Sequence, residues 1–368
     1  MKQSPLLLGI LLCTSTVHAE SPRTAKIDKP TGTYSSMLTE RAAKHPEMQG
    51  ALVRVMWADL EPNPGSYDFS DIESRLRLLP DGKKWTLAIY GGWTAHAKNA
   101  PAPTKRPAFA RKPAMQRALK AHMSPPWLSS KLGAKTFVMH FRGTAVELPK
   151  YWDPVVQKRL ALLMQAVGKK YNKDPRLMMV YVPQMTSNGL EGHFNGVPNE
   201  TLLSAAGLKA TESQKFAQQW STAALAAISS TANAFPNKAV AYEVHELLGS
   251  TAAAKLIMQG ILTDPKLKQQ AGIAIWWLSG KTNYQADLIS EVKKFPGDIY
   301  GQVIGRSNQA HRFPAEGYQA VFTQAKELGL RYIEPWNYEF EHHSHDALMK
   351  DFNHYAAKKF VPAAEKKK

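Results

Sequence analysis

Cysteine is almost missing from this chain: one residue in 368, Cys13. It falls in a stretch that reads as a secretory leader. Lys2 gives a positive start, residues 6–12 a short apolar run, and Val17 and Ala19 the small residues before a cleavage site. With 1–19 removed, the mature chain beginning at Glu20 has no cysteine at all. That excludes disulfides, thiolate catalysis and cysteine–metal centres. The expected location is the periplasm or the exterior. The leader run is too short to cross a bilayer, and no second long apolar segment follows, so no membrane span is expected. Also missing are a Gly-rich GxGxxG phosphate loop, a G-x-S-x-G nucleophile elbow, any internal repeat and any long linker. Negative charge is scarce: 47 Lys and Arg face 30 Asp and Glu, a formal net charge of +17. Such a surplus attracts an acidic glycan, the cell envelope or nucleic acid. No nucleic-acid-binding motif accompanies it.

What is present is a rhythm. Apolar or β-branched runs recur at 31–34, 52–56, 85–90, 178–182, 239–244, 273–277, 299–304 and 331–333. Helical patterns lie between most of them. Asp153-Pro154 reads as an N-cap with proline at the first helical position, and Val155, Leu160, Leu163, Val167 and Tyr171 share a face. A second helix is expected over 213–232, with Phe216, Trp220, Leu225 and Ile228 at helical spacing, and a third over 318–328. Ser70 with Glu73 reads as a capping box for a helix carrying Ile72, Leu76 and Leu79. Eight strands alternating with helices predict an α/β protein, a (β/α)8 TIM barrel spanning 20–360 as one domain, with a basic tail at 361–368. One stretch breaks the rhythm. Residues 98–120 carry Lys98, Lys105, Arg106, Arg111, Lys112, Arg117 and Lys120 with no acidic residue, inside an insertion at 98–123 after the third strand. In such a barrel that is the face where active sites sit.

Several segments carry a resemblance. "RVMWADLEPNPGSYDFSDIE" (54–73) resembles the R-x-x-W-x-x-L-E-P-x-x-G-x-Y-D-F segment of β-galactosidase-like (β/α)8 glycoside hydrolases, in and around family 42. "SPPWL" (124–128) is similar to the P-x-W-L after the third strand of those barrels, and 148–182 to the stretch leading into the fourth strand. "TSNGLEGHF" (186–194) is similar to their G-x-x-G-E loop, and "QAKELGLRYIEPW" (324–336) to the last helix and strand of related barrels. The resemblance implies carbohydrate chemistry, with the general acid/base carried over to Glu191 and a sugar-shaping role to Glu61. The sequence departs from the pattern in two places. Asn188 stands three residues before Glu191 rather than beside it, and 299–309, after the seventh strand, holds no carboxylate.

Glycoside hydrolysis needs two carboxylates about the scissile bond, one of them protonated by a partly apolar setting. Glu191, flanked by Leu190, His193 and Phe194, is the expected acid, and Glu334 beside Trp336 the expected nucleophile or base. On the fifth strand, alternation sends Glu243 and His245 to one face, the one expected to point into the mouth. Trp57, Tyr90, Trp93, Trp276 and Trp336 fall near strand ends, where flat rings cover the apolar faces of sugars. Trp276 and Trp277 are adjacent, so one of them must face outward. Gln184, Gln302, Arg306 and His140 complete the expected sugar-binding set, the last two as clamps for carboxylates or sulfates. "EFEHHSHD" (339–346) reads as a polar turn into the final helix rather than a metal site; no metal or other cofactor is expected. The expected partner is a carbohydrate, with acidic polysaccharides among the candidates; oligomeric state is left open. Two alternatives stand beside the hydrolase: a glycan-binding barrel that has lost its nucleophile, and a polysaccharide lyase.

Overall fold

The computed structural model describes residues 27–96, 122–141, 144–194 and 196–361. Eight parallel strands close into a (β/α)8 TIM barrel. They are β1 (Gly32–Ser35), β2 (Gly50–Met56), β3 (Lys84–Tyr90), β7 (Leu177–Tyr181), β8 (Ala239–Glu243), β9 (Ala271–Leu278), β10 (Ile299–Val303) and β11 (Tyr332–Glu334). Each coincides with one of the eight apolar runs. These strands are buried on both faces, so apolar character rather than alternation marks them.

Alternation appears one level down. Inward residues form a core of their own: Tyr34, Leu52, Ala88, Met179, Tyr181, Ala239, Ala241, Ala274, Trp276, Tyr300 and Tyr332. Small and large side chains oppose one another, with Ala88 of β3 across the barrel from Tyr300 of β10, and the alanines of β8 across from Tyr34 of β1. Outward residues such as Val53, Val55, Ile275 and Trp277 join the larger core beneath the helices. The expected helices are present as Pro154–Tyr171, Ser213–Ala234 and Gln319–Glu327. Asp153 accepts the Val155 N–H at 2.8 Å, and Val156 rather than Val155 is the buried residue of that turn. Ser70 does not act as a cap. It lies inside the helix Ser70–Leu76, and its N–H donates to Asp68 at 2.8 Å, while Glu73 instead accepts from the Tyr171 hydroxyl.

Between β3 and β7 the chain leaves the barrel for a three-stranded antiparallel sheet. Its order is β4 (Ala95–His96), β6 (Thr144–Pro149), β5 (Thr136–Phe141). The basic residues 98–120 fall outside the described residues. At the opposite end of the barrel, Lys29 and Arg331 both meet Asp298 at 2.6 Å, and Lys238 meets Asp28 at 2.7 Å. The bottom is thus pinned by ion pairs, and the C-terminal rim is left for chemistry.

Candidate active site

Two groups of polar side chains stand at the C-terminal end of the barrel. The first is centred on Glu334, the last residue of β11, which is fully buried. One oxygen accepts from the Tyr181 hydroxyl at 2.9 Å and from the Tyr332 hydroxyl; the other accepts from the Gln302 amide. Burial pushes the Glu334 carboxyl above the usual range, against Tyr332, Arg54, Gln302 and Tyr181, which all favour its ionised form. Arg54, an inward residue of β2, lies 5.2 Å from the centre of the Trp276 ring. Tyr90, on the neighbouring strand, stands 6.4 Å from the same indole and feels the charges of both Glu334 and Glu191.

The second group forms where the loop after β7 meets the end of β8. Glu191 accepts from the Asn188 amide, and His193 Nε2 stands 3.5 Å from its other oxygen. The Asn188 carbonyl oxygen in turn accepts the Glu191 N–H at 2.9 Å, so the loop folds around its own asparagine. Glu243 accepts from Gly192 N at 2.6 Å and from Trp276 N at 3.2 Å, and meets His245 Nδ1 at 2.8 Å. Gln184 donates to the Glu243 carbonyl at 2.8 Å. Burial by itself would raise Glu191, but the His193 ring, His245 and Asn188 outweigh it and hold the carboxyl below the usual range. Burial would lower His245, yet Glu243 and Glu191 together raise it.

The structure therefore brings together Glu191, Glu243, His245 and Gln184 in one group, and Glu334, Gln302, Trp276 and Tyr90 in the other. Trp336, half-buried, donates to the Val303 carbonyl at 2.8 Å and borders the β10–β11 rim. Arg306 is exposed beyond β10 and lies 5.6 Å from the Tyr338 ring centre. His140 is exposed on β5, the outermost strand of the small sheet, and not at the strand ends of the barrel.

Glu61 and Trp57 do not line the mouth. Glu61 is fully buried and accepts from Trp57 Nε1 at 2.8 Å, from Gly65 N at 2.8 Å and from the Arg159 guanidinium. All its partners lie in its own loop or on the helix Pro154–Tyr171, and its carbonyl holds Trp127 Nε1 at 3.0 Å. It is a bracket between the loop after β2 and the helix layer, and Trp93 is buried in that same outer core. Among the described residues, no apolar pocket surrounds Glu191. Leu190 turns into the barrel core and Phe194 packs on Trp220 at 5.5 Å, leaving polar donors beside the carboxylate. Laid on Gly189 to His193, the five places of G-x-x-G-E end on His193, not on Glu191.

Sequence reasoning missed Arg54, Tyr181 and Tyr332, and took His193 as part of an apolar setting for Glu191 rather than as its ion-pair partner. The signal for Arg54 was its place between Leu52 and Met56, where the period of two sends all three inward.

No protein-family model and no curated protein matches the chain. Solved structures do. The beta-galactosidase from Rahnella sp. R3 aligns with a TM-score of 0.53 at 12% identity, over 89% of this chain and 58% of that one. The beta-galactosidase from the psychrophilic Marinomonas ef1 gives 0.51 at 11% identity, over 83% and 53%. Endo-glycoceramidase II from Rhodococcus sp., as its lactosyl-enzyme intermediate, gives 0.47 at 13%, over 86% and 75%. The likeness is one of fold, a (β/α)8 barrel. The chain spans little more than half the length of the two galactosidases.

Proposed function

We propose that the chain is a secreted glycoside hydrolase that cleaves a poly- or oligosaccharide at this rim, with Glu334 as proton donor and Glu191 as the second carboxylate. The observation that carries the reading is Glu334: a carboxyl at the C-terminal end of β11, pushed toward its protonated form by burial, and held by Tyr181, whose ring meets Trp276 edge-on at 5.2 Å. Cleavage of a glycosidic bond needs a proton on the departing oxygen and a carboxylate near the anomeric carbon or its attacking water. Glu334 supplies the first. The Tyr181 and Tyr332 hydroxyls and the Gln302 amide fix its oxygens, and the positive charge of Arg54 stabilises the carboxylate left once the proton has gone. Glu191, about a quarter exposed at 24%, is the accessible partner. This reverses the roles expected from sequence, because Glu191 sits among donors and Glu334 does not face solvent. The positive charge of the chain and exposed Arg306 favour acidic glycans over neutral ones. The leader-like stretch at 1–19 supports export.

A second reading has its own support. Gln302 stands on the seventh barrel strand, where the resembled family carries a carboxylate, and both Glu334 oxygens are already engaged. A barrel so arranged would hold a glycan without cutting it. Sugar release by the mature protein against neutral and acidic polysaccharides, run beside Glu334→Gln and Glu191→Gln, tests both readings. Release that disappears in the variants supports the hydrolase. Retention on one immobilised glycan without release supports the binding barrel, and an ultraviolet-absorbing unsaturated product would point to a lyase.

A further inference from the structure

We propose that Glu191, His193 and His245 form a site for one divalent transition-metal ion of the zinc class, with Glu243 as the carboxylate that orients His245. One ligand atom from each of the three residues lies within 4.8 Å of the other two. A tetrahedral ion about 2.0–2.2 Å from each ligand holds them roughly 3.3–3.6 Å apart, so side-chain rotation that closes the three by at most about 1.5 Å completes the set. The donor types are right: two imidazoles and one carboxylate, with the partly exposed Glu191 on the solvent side leaving a fourth position to water.

Proximity is joined by orientation. His245 commits Nδ1 to Glu243 at 2.8 Å, so Nε2 is the nitrogen left to bind. Glu243 is itself fixed by the N–H groups of Gly192 and Trp276, at 2.6 and 3.2 Å. A buried carboxylate that takes two backbone donors and then aims one imidazole is the outer-shell arrangement of histidine–metal centres. Glycine at 192 also matters, because a Cβ there would meet Glu243 O at 3.2 Å and Gln184 Oε1 at 3.3 Å.

The molecule contains a contrasting cluster. His45, His343 and Asp346 also have ligand atoms within 4.8 Å of one another. There, His45 Nδ1 accepts the Glu47 N–H at 3.1 Å, so Nε2 carries the proton and donates it to Asp346 at 2.9 Å. Both ring nitrogens are spent, and the cluster closes without an ion.

The site shares Glu191 with the proposed hydrolase, but ion uptake is read with no substrate present, so either reading can fail alone. The test is calorimetric titration of the chelator-stripped mature protein with Zn2+, followed by visible absorption of the Co2+ form. Uptake of one ion per chain is expected, with a Co2+ spectrum of tetrahedral or five-coordinate type. His193→Ala and Glu191→Gln should each weaken uptake at least ~100-fold, and Glu243→Gln by roughly 10–100-fold. His193 and Glu191 lie on a partly exposed loop, and an unchanged circular dichroism spectrum separates lost ligation from lost folding. No saturable uptake by the wild type, or uptake that survives these substitutions and falls in His343→Ala, would overturn the assignment.

Discussion

At the scale of single residues, two buried carboxyl groups, Glu334 and Glu61, set how the barrel responds to pH and to substitution. Glu334 is buried with its proton favoured, so the folded state binds that proton more tightly than the unfolded chain does. Its contribution to stability is complete below the unfolded carboxylate value and is lost as pH rises through the folded value. Glu334→Gln should therefore gain in Tm on the wild type as pH goes from about 4 to about 8, in a series of thermal melts. A Tm difference independent of pH would count against a raised Glu334. The same proton sets the basic limb of activity: kcat should fall as pH rises through the Glu334 value, above the ordinary carboxylate range. Glu61 is a different case. Removing Arg159 leaves it buried without a counter-charge, held only by Trp57 and Gly65, at a cost of about 3–5 kcal/mol. Arg159→Ala should lower the denaturant midpoint while the molecules still folded keep their kcat. Loss of kcat at unchanged stability would return Glu61 to the substrate site.

Elements decide how those residues meet. The loop after β7 depends on Gly189, whose φ of +81° is a left-handed conformation and whose Cβ, if present, would stand 2.1 Å from Gly91 O. The two loops are tied by the Gly91 N–H donating to Gly189 O at 2.9 Å. Gly189→Ala should displace the Glu191 loop and cut kcat/KM by at least tenfold, with a modest drop in Tm. Much of this level was legible in the sequence. The eight strands showed because both faces of each are buried, and alternation correctly paired Glu243 with His245 and separated Trp276 from Trp277. What stayed hidden depends on contacts between distant strands. Nothing near Tyr181 or Tyr332 tells that their hydroxyls converge on one carboxylate 153 and 2 residues away. Nothing near Glu61 tells that a helix about a hundred residues on will supply its arginine. The antiparallel sheet of β4 to β6, on either side of the basic insertion at 98–123, is not legible in the sequence, because β4 has only two residues and its partner lies some fifty residues further on.

The whole molecule adds a field and a surface. A chain at +17 attracts polyanions over a distance of about one Debye length, ~8 Å at physiological salt. If acidic glycans are the substrate, kcat/KM should fall steeply between about 50 and 300 mM NaCl, mainly through KM, while a neutral analogue shows little change. Equal salt dependence for both would separate the charge from recognition. The central claim is that this barrel cuts glycosidic bonds with Glu334 and Glu191. The direct measurement is reducing-sugar release by the mature protein over neutral and acidic polysaccharides, with Glu334→Gln and Glu191→Gln assayed in parallel and their folding checked. The account predicts release from at least one acidic glycan and a loss of at least ~1,000-fold in Glu334→Gln. Full release by a folded Glu334→Gln protein would contradict it.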